Sequence, residues 1–326
     1  MMQIVLIGLG AGAAAALLFA SVTSGVIVSV FLFYLAPLPI MIAALGWSHW
    51  AGLTAAVFAA AILGGLFGIF FFGTFLATIG VPAWWLGYLA LLGRPAPNGG
   101  GQHMEWYPPG RLVLWAAVLG AALVAAALVT FGGDEASISG GLKDALEHVL
   151  RLQTGRSPDQ PLAFPGIETE DVDRLITVLV AVLPPAAAMI AAITQTANLW
   201  LAGQVVRLSG RLKRPWPDLT ALSFPPLAAA MYAAVVAGAF VPDLPGLVAS
   251  LFAATLTIAF AILGLAVLHA TTRNLGGRAV VLSGAYVFIA VQAWPILIAT
   301  LIGIAEMLLG LRARVASRRP PAVPKT

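Results

Sequence analysis

One carboxylate stands well inside an apolar run: Glu306, in the stretch LIGIAEMLLGLRAR, six residues before Arg312. At helical rise that separation is about 9 Å. An intramembrane carboxylate either carries function or sits close enough to the interface to meet water or a basic side chain. Gln292 stands beside Pro295, whose missing N–H interrupts a helical ladder. Its amide satisfies the freed carbonyls, or binds a substrate at a discontinuous helix as in transporters. Tyr34 precedes a second break, at Pro37 and Pro39. Tyr34, Gln292 and Glu306 are therefore the candidate lining of a small-ligand cavity. The densest polar stretch is Thr194, Gln195, Thr196 and Asn198. Thr194 and Asn198, four apart, share a helix face and mark either a cavity mouth or an interfacial helix end.

A second kind of chemistry sits in RLSGRLKRPWPDL. Arg207, Arg211 and Arg214 recur at short helical spacing, and Trp216 is held between Pro215 and Pro217. Guanidinium groups pair with phosphate headgroups, and tryptophan suits the membrane interface. This segment reads as a membrane anchor, an anionic-lipid contact or a surface for an acidic partner. In the first apolar stretch Gly8, Gly12, Ala16 and Ala20 form one smooth face that admits close helix approach. Its partner is another helix of the chain or a separate subunit.

Much enzyme chemistry is excluded. The four histidines, His49, His103, His148 and His269, form no HExxH motif and no close pair. There is no GxSxG elbow and no GxxxxGK[ST] loop. The glycines of GLGAGAAAA lie within an apolar stretch and follow no strand, so they lack a dinucleotide-binding context. The absence of cysteine removes disulfides and thiolate ligands. No cofactor is expected.

The elements that must position these groups are read from where charge is missing. The chain is 60% hydrophobic and 9% charged, with mean hydropathy +0.97, whereas soluble domains carry about 25% charged residues. An all-α polytopic transmembrane bundle of about eight to ten segments follows. The segments cover 3–20, 26–45, two crossings within 51–92, 111–131, 174–198, 223–242, 247–269 and the run 279–311. The turn within 51–92 is expected near Gly73 and Thr74, with a second weak point at Gly80-Val81-Pro82. The run 279–311 is one long helix or two short ones broken at Trp294-Pro295, and charge counting favours the pair. Trp84, Trp85 and Tyr88 suit an aromatic belt. Residues 93–110 read as a flexible polar loop. In 132–173, Ile138, Leu142, Leu146, Val149 and Leu150 recur at helical spacing, predicting an amphipathic helix that lies on the membrane or caps the bundle. The domain organisation expected is a single membrane domain over 1–315, with an insertion at 132–173, a basic connector at 199–222 and a disordered tail at 316–326.

Charge sign orients the chain. The connector carries Arg207, Arg211, Lys213 and Arg214 against Asp218. Residues 270–280 carry Arg273 and Arg278, and the tail is wholly basic, while 132–173 holds three basic and nine acidic residues. The positive-inside rule places both termini and the connector in the cytoplasm, with 132–173 outside. A pI near 9.8 does not imply nucleic acid, because the basic residues flank apolar segments.

The small-residue first helix, LAPLPIMI, VPAWWLGYLALL and the terminal GLAVLHA through LIGIAEMLLGLRAR together resemble the YybS-like bacterial family of predicted multi-pass membrane proteins. NLWLAGQVVRLSGRLKRPWPDL looks like its alphaproteobacterial branch. That family is similar to the substrate-binding subunits of energy-coupling-factor transporters. The resemblance implies small-molecule uptake, with Gly8, Gly12 and Ala16 contacting a coupling subunit. The leading expectation is thus a transporter-like membrane subunit without catalytic activity. The alternative is an assembly or scaffold factor binding lipid headgroups or a partner protein.

Overall fold

The computed structural model describes residues 1–96, 104–155, 157 and 169–317. The expected disordered tail lies outside the described residues from 318 onward, as do His103 and parts of the 93–110 and 132–173 segments.

The described chain is an all-α polytopic bundle. In chain order the helices are α1 (Met2–Ala20), α2 (Ile27–Tyr34), α3 (Pro37–Gly46), α4 (His49–Phe67), α5 (Ile69–Phe75), α6 (Val81–Ala90), α7 (Pro109–Leu128), α8 (Glu135–Thr154), α9 (Thr169–Leu208), α10 (Leu227–Gly238), α11 (Asp243–Thr271), α12 (Arg278–Gln292), α13 (Ile296–Leu309) and α14 (Leu311–Ser317). Among the described residues the only strands are β1 (Gly93–Pro95) and β2 (Met104–Trp106). They pair antiparallel, with Arg94 opposite Glu105. This hairpin replaces part of the expected flexible loop.

Among the described residues, seven helical segments are long and apolar enough to cross a membrane, or eight if the α13–α14 pair, bent by 71°, is one span. The other expected crossings are the short helices α10, of 12 residues, and α12, of 15. Each spans about 18 to 23 Å, less than the roughly 30 Å hydrocarbon core. The break at Trp294-Pro295 is real: α12 ends at Gln292, Ala293 takes φ 57°, and α13 starts at Ile296. The turn within 51–92 sits at Gly68 rather than near Gly73, because Gly68 adopts φ 99°, ψ 165°, a region open essentially to glycine alone. The weak point at 80–82 is a π-helical turn over Leu76–Gly80, where the Val81 N–H donates to the Leu76 carbonyl. The wider turn accommodates Pro82, which lacks an N–H and would crowd the preceding carbonyls.

Packing divides the chain into two compact units. One comprises Met1–Ala116, Ile193–Ala229 and Thr257–Thr326, the other Ala117–Ala192 and Ala230–Leu256. In the first, α1 packs along α4: a Cβ on Gly12 would lie 2.6 Å from the Ala55 carbonyl, and one on Gly8 would lie 2.7 Å from the Thr54 side chain. Gly52 and Gly87 both abut the methyl of Ala44, which brings α3, α4 and α6 together. Gly264 and Gly303 lie against the backbone of each other's helix, α13 and α11. Thr300 donates to the Thr257 carbonyl across the same contact, at 3.0 Å. Lipid gives little hydrophobic drive between helices, so such close van der Waals contacts hold them.

The second unit contains α8. Asp134 accepts from the Ser137 N–H at 2.8 Å, and Ser137 closes a capping box. Ile138 is fully buried with Ala121, Leu128, Ala188 and Leu251, and Leu142 packs beside it. Leu146 and Leu150 cover Val172 and Ile176. The amphipathic stripe therefore caps other helices of its own unit.

Candidate functional site

The site is built where α2 is broken and where the 199–222 connector folds back on its unit. Pro37 and Pro39 supply no N–H. The Phe33 carbonyl takes the Ala36 N–H instead, and the Leu35 carbonyl takes that of Leu38. This leaves the Tyr34 carbonyl without an intrahelical donor. Asn198 Nδ2 fills the vacancy at 2.8 Å while also donating to the Thr194 carbonyl. Asn198 and Gln195 are only 2% and 3% exposed, because α9 continues to Leu208. The polar stretch is thus internal rather than the helix end that 174–198 would make it. Asn198 Oδ1 and Gln195 Oε1 have no partner among the described residues.

The connector is stitched down by basic side chains. Lys213 donates to the Trp47 carbonyl at 3.1 Å, and Arg214 Nη1 donates to the carbonyls of Ala90 and Tyr107 at 2.9 and 3.2 Å. Arg273 donates to Thr220 and lies 3.7 Å from Asp218. Arg312 donates to the Thr220 and Leu222 carbonyls, and through Nε to Glu306 at 2.8 Å. The left-handed Gly310 turns α14 back so that the Arg312 N–H reaches the same carboxylate. Bonds from Thr220 hold the Asp218 carboxyl below its usual range, and Arg273 adds to this.

Under this connector lies a cavity of about 650 Å³, within the usual range for small-molecule sites. Its walls are apolar: Leu112 and Val113 of α7, Ile193, Ala197 and Trp200 of α9, and Ile258, Ile262 and Leu265 of α11. Its polar groups are few: Arg214, Thr196, Thr220 and the His269–Tyr286 pair, whose Nε2 and Oη are 2.9 Å apart. Tyr286 and Ile289 supply one side from α12, a helix with no buried residue. Burial pushes the Arg214 guanidinium down from its usual value, yet arginine stays cationic.

Of the residues singled out in the sequence, Arg214 and Trp216 line this cavity. Arg207 and Arg211 do not, and their guanidiniums lie over the rings of Trp216 and Trp47 at 4.9 and 4.6 Å. Tyr34, Gln292 and Glu306 are not brought together. Tyr34 contributes its carbonyl to Asn198, Gln292 is exposed at the end of α12, and Glu306 is bound to Arg312. Gly8, Gly12 and Ala16 are buried, with both glycines packed against α4. Trp200, His269 and Tyr286 were invisible as site residues, since nothing local distinguishes them from interfacial aromatics. Among the described residues no group of three or more His, Asp or Glu side chains could hold a metal ion.

Comparison with known proteins adds one finding. Residues 13–307 match the family described as predicted membrane protein (DUF2232). The chain belongs to this family. No curated protein matches it, and no solved structure does. The match runs from α1 through α13, so it takes in the connector, every wall of the cavity and the Asn198 contact with the broken second span.

Proposed function

We propose that this member of the family is a transporter-like membrane subunit that binds a small molecule in the connector cavity, with a binding rather than a catalytic role. The observation that carries the reading is the cavity itself: apolar walls with a few polar side chains among the lining residues, the usual form of a ligand site. The YybS-like resemblance and the likeness to energy-coupling-factor substrate-binding subunits belong to this proposal. Docking of a coupling subunit on Gly8 and Gly12 does not, because α4 fills that face. The proposal places the chain in a bacterial inner membrane with both termini and the connector on the cytoplasmic side.

Purification without added ligand, followed by untargeted mass spectrometry, tests it. A stoichiometric small molecule retained by the wild type and lost on Ala197→Trp, which fills the cavity, supports it. A copurifying protein with no small ligand moves the assignment to an assembly or scaffold factor. One observation favours that second reading: Arg207 and Arg211 are exposed while stacked on tryptophan, ready for anionic headgroups or an acidic partner.

A further inference from the structure

We infer that the occupant of the cavity is a long-chain amphiphile with an anionic head, its carboxylate or phosphate seated on Arg214 and its hydrocarbon chain running along α9 and α11. This rests on the proposal that the cavity binds a ligand, and it names the ligand's chemistry.

Charge calls for an anionic head. Arg214 lines the cavity, yet its partners are two backbone carbonyls. Its Nε is buried with no acceptor, and no acidic side chain pairs with it among the described residues. Carbonyl dipoles satisfy individual donors but leave a net positive charge in a low-dielectric surround, where charges are normally paired. Arg273 and Arg312, which also reach the connector, have counter-ions in Asp218 and Glu306, whereas Arg207 and Arg211 sit at exposed positions over tryptophan rings. Arg214 is the basic group at this cavity left without one, and an anion entering it would supply the missing charge.

Shape and surface call for a hydrocarbon tail. Lining residues run from Ile258 to His269 on α11 and from Ile193 to Gly203 on α9, about 15 to 17 Å along each helix. Between these ends the wall is almost wholly aliphatic and aromatic. A sugar, amino acid or polar vitamin would leave its hydroxyls and amines unpaired there, and unmade buried hydrogen bonds disfavour binding strongly. A hydrocarbon chain has no such groups and suits the wall along its length. Arg214 and Thr220 belong to the connector and His269 to the last turn of α11, while the α9 stretch adds only Thr196 to an aliphatic and aromatic wall. The charged group and most of the hydrocarbon wall thus come from different parts of the chain, as an amphiphile requires.

The test uses the full chain in phosphatidylcholine nanodiscs, with empty nanodiscs as reference. The probes are dodecanoate, dodecyl phosphate, dodecanol and inorganic phosphate. Both anionic amphiphiles should bind saturably. Dodecanol should bind about tenfold more weakly or worse, the scale of one charge-assisted hydrogen-bonded contact. Inorganic phosphate should not bind. Arg214→Gln should bring the anionic probes down to the dodecanol level, while Arg214→Lys keeps part of the preference. If dodecanol binds as well as the anions and Arg214→Gln changes nothing, the anionic head is wrong although the cavity still binds. If no probe exceeds empty nanodiscs, or Ala197→Trp leaves binding intact, the cavity reading fails as well. Inorganic phosphate binding as tightly as dodecyl phosphate overturns the hydrocarbon tail.

Discussion

Asn198 shows how one side chain decides whether a broken helix is tolerable. Two prolines two residues apart shift the local hydrogen bonds by one register, and the Tyr34 carbonyl is the group left over. Inside a bilayer no water fills that role. Removing the Asn198 donor should therefore cost about 1–3 kcal/mol, the price of an unsatisfied buried polar group. Thermal unfolding of Asn198→Ala in detergent should show the loss. Asn198→Asp should be worse, since it removes the same donor and buries a charge. Equal stability of all three proteins would mean that the 2.8 Å contact contributes nothing. The need for a partner was legible in Pro37 and Pro39, but its identity was not: the two groups are 164 residues apart. Glu306 teaches the same lesson. Its isolation in an apolar run was plain, whereas its capture by Arg312 depends on the left-handed turn at Gly310.

At the scale of elements, α1 and α4 meet through residues chosen for what they lack. Gly12→Val would drive side-chain atoms into the Ala55 backbone, 2.6 Å from the first added carbon. It should destabilise by about 1–3 kcal/mol as an overpacking change. Gly10 faces open space, so Gly10→Ala should be neutral or stabilising by up to about 1 kcal/mol through helix propensity. The pair can be compared by melting temperature, and a shared response would refute the packing argument. The start of α8 depends on a titrating cap. Bonds from Ser137 hold the Asp134 carboxyl below its ordinary value. Its contribution is therefore complete above about pH 4, the unfolded carboxylate pKa, and is lost as pH falls through the lowered folded value. Amide exchange in the first turn of α8, corrected for intrinsic rates, should rise across that acid range in the wild type. In Asp134→Asn that step should be absent. The stripe of α8 was readable because its period is local. The β1–β2 pair was not, because the pairing of Arg94 with Glu105 joins residues eleven apart and follows no local period. Composition likewise could not say which glycine of 51–92 takes the positive φ, and Gly68 does.

For the whole molecule, the proposed orientation makes a demand on the short helices. The connector at 199–222 and the basic segment at 270–280 are both assigned to the cytoplasm, and α11 alone is long enough to cross. The chain must therefore reach the opposite side between them, and only α10 with its apolar flanks is available. Twelve helical residues span about 18 Å, so the crossing requires extended flanks or a locally thinned bilayer. After Arg278 the chain must return to the same side by Arg312, which α12 and α13 achieve whether they cross as a thin pair or re-enter. The lack of cysteine gives a clean background for testing this. Asp144→Cys, Ser209→Cys and Val241→Cys place single thiols on exposed positions after α7, α9 and α10. With a membrane-impermeant maleimide on intact spheroplasts, Asp144→Cys and Val241→Cys should label at once, and Ser209→Cys only after permeabilisation. Labelling of Val241→Cys only after permeabilisation would show that α10 does not cross, and that α11 enters and leaves on one side. Reversal at both Asp144 and Ser209 would invert the chain and place the Arg207–Trp216 surface outside the cell, where it faces no cytoplasmic subunit.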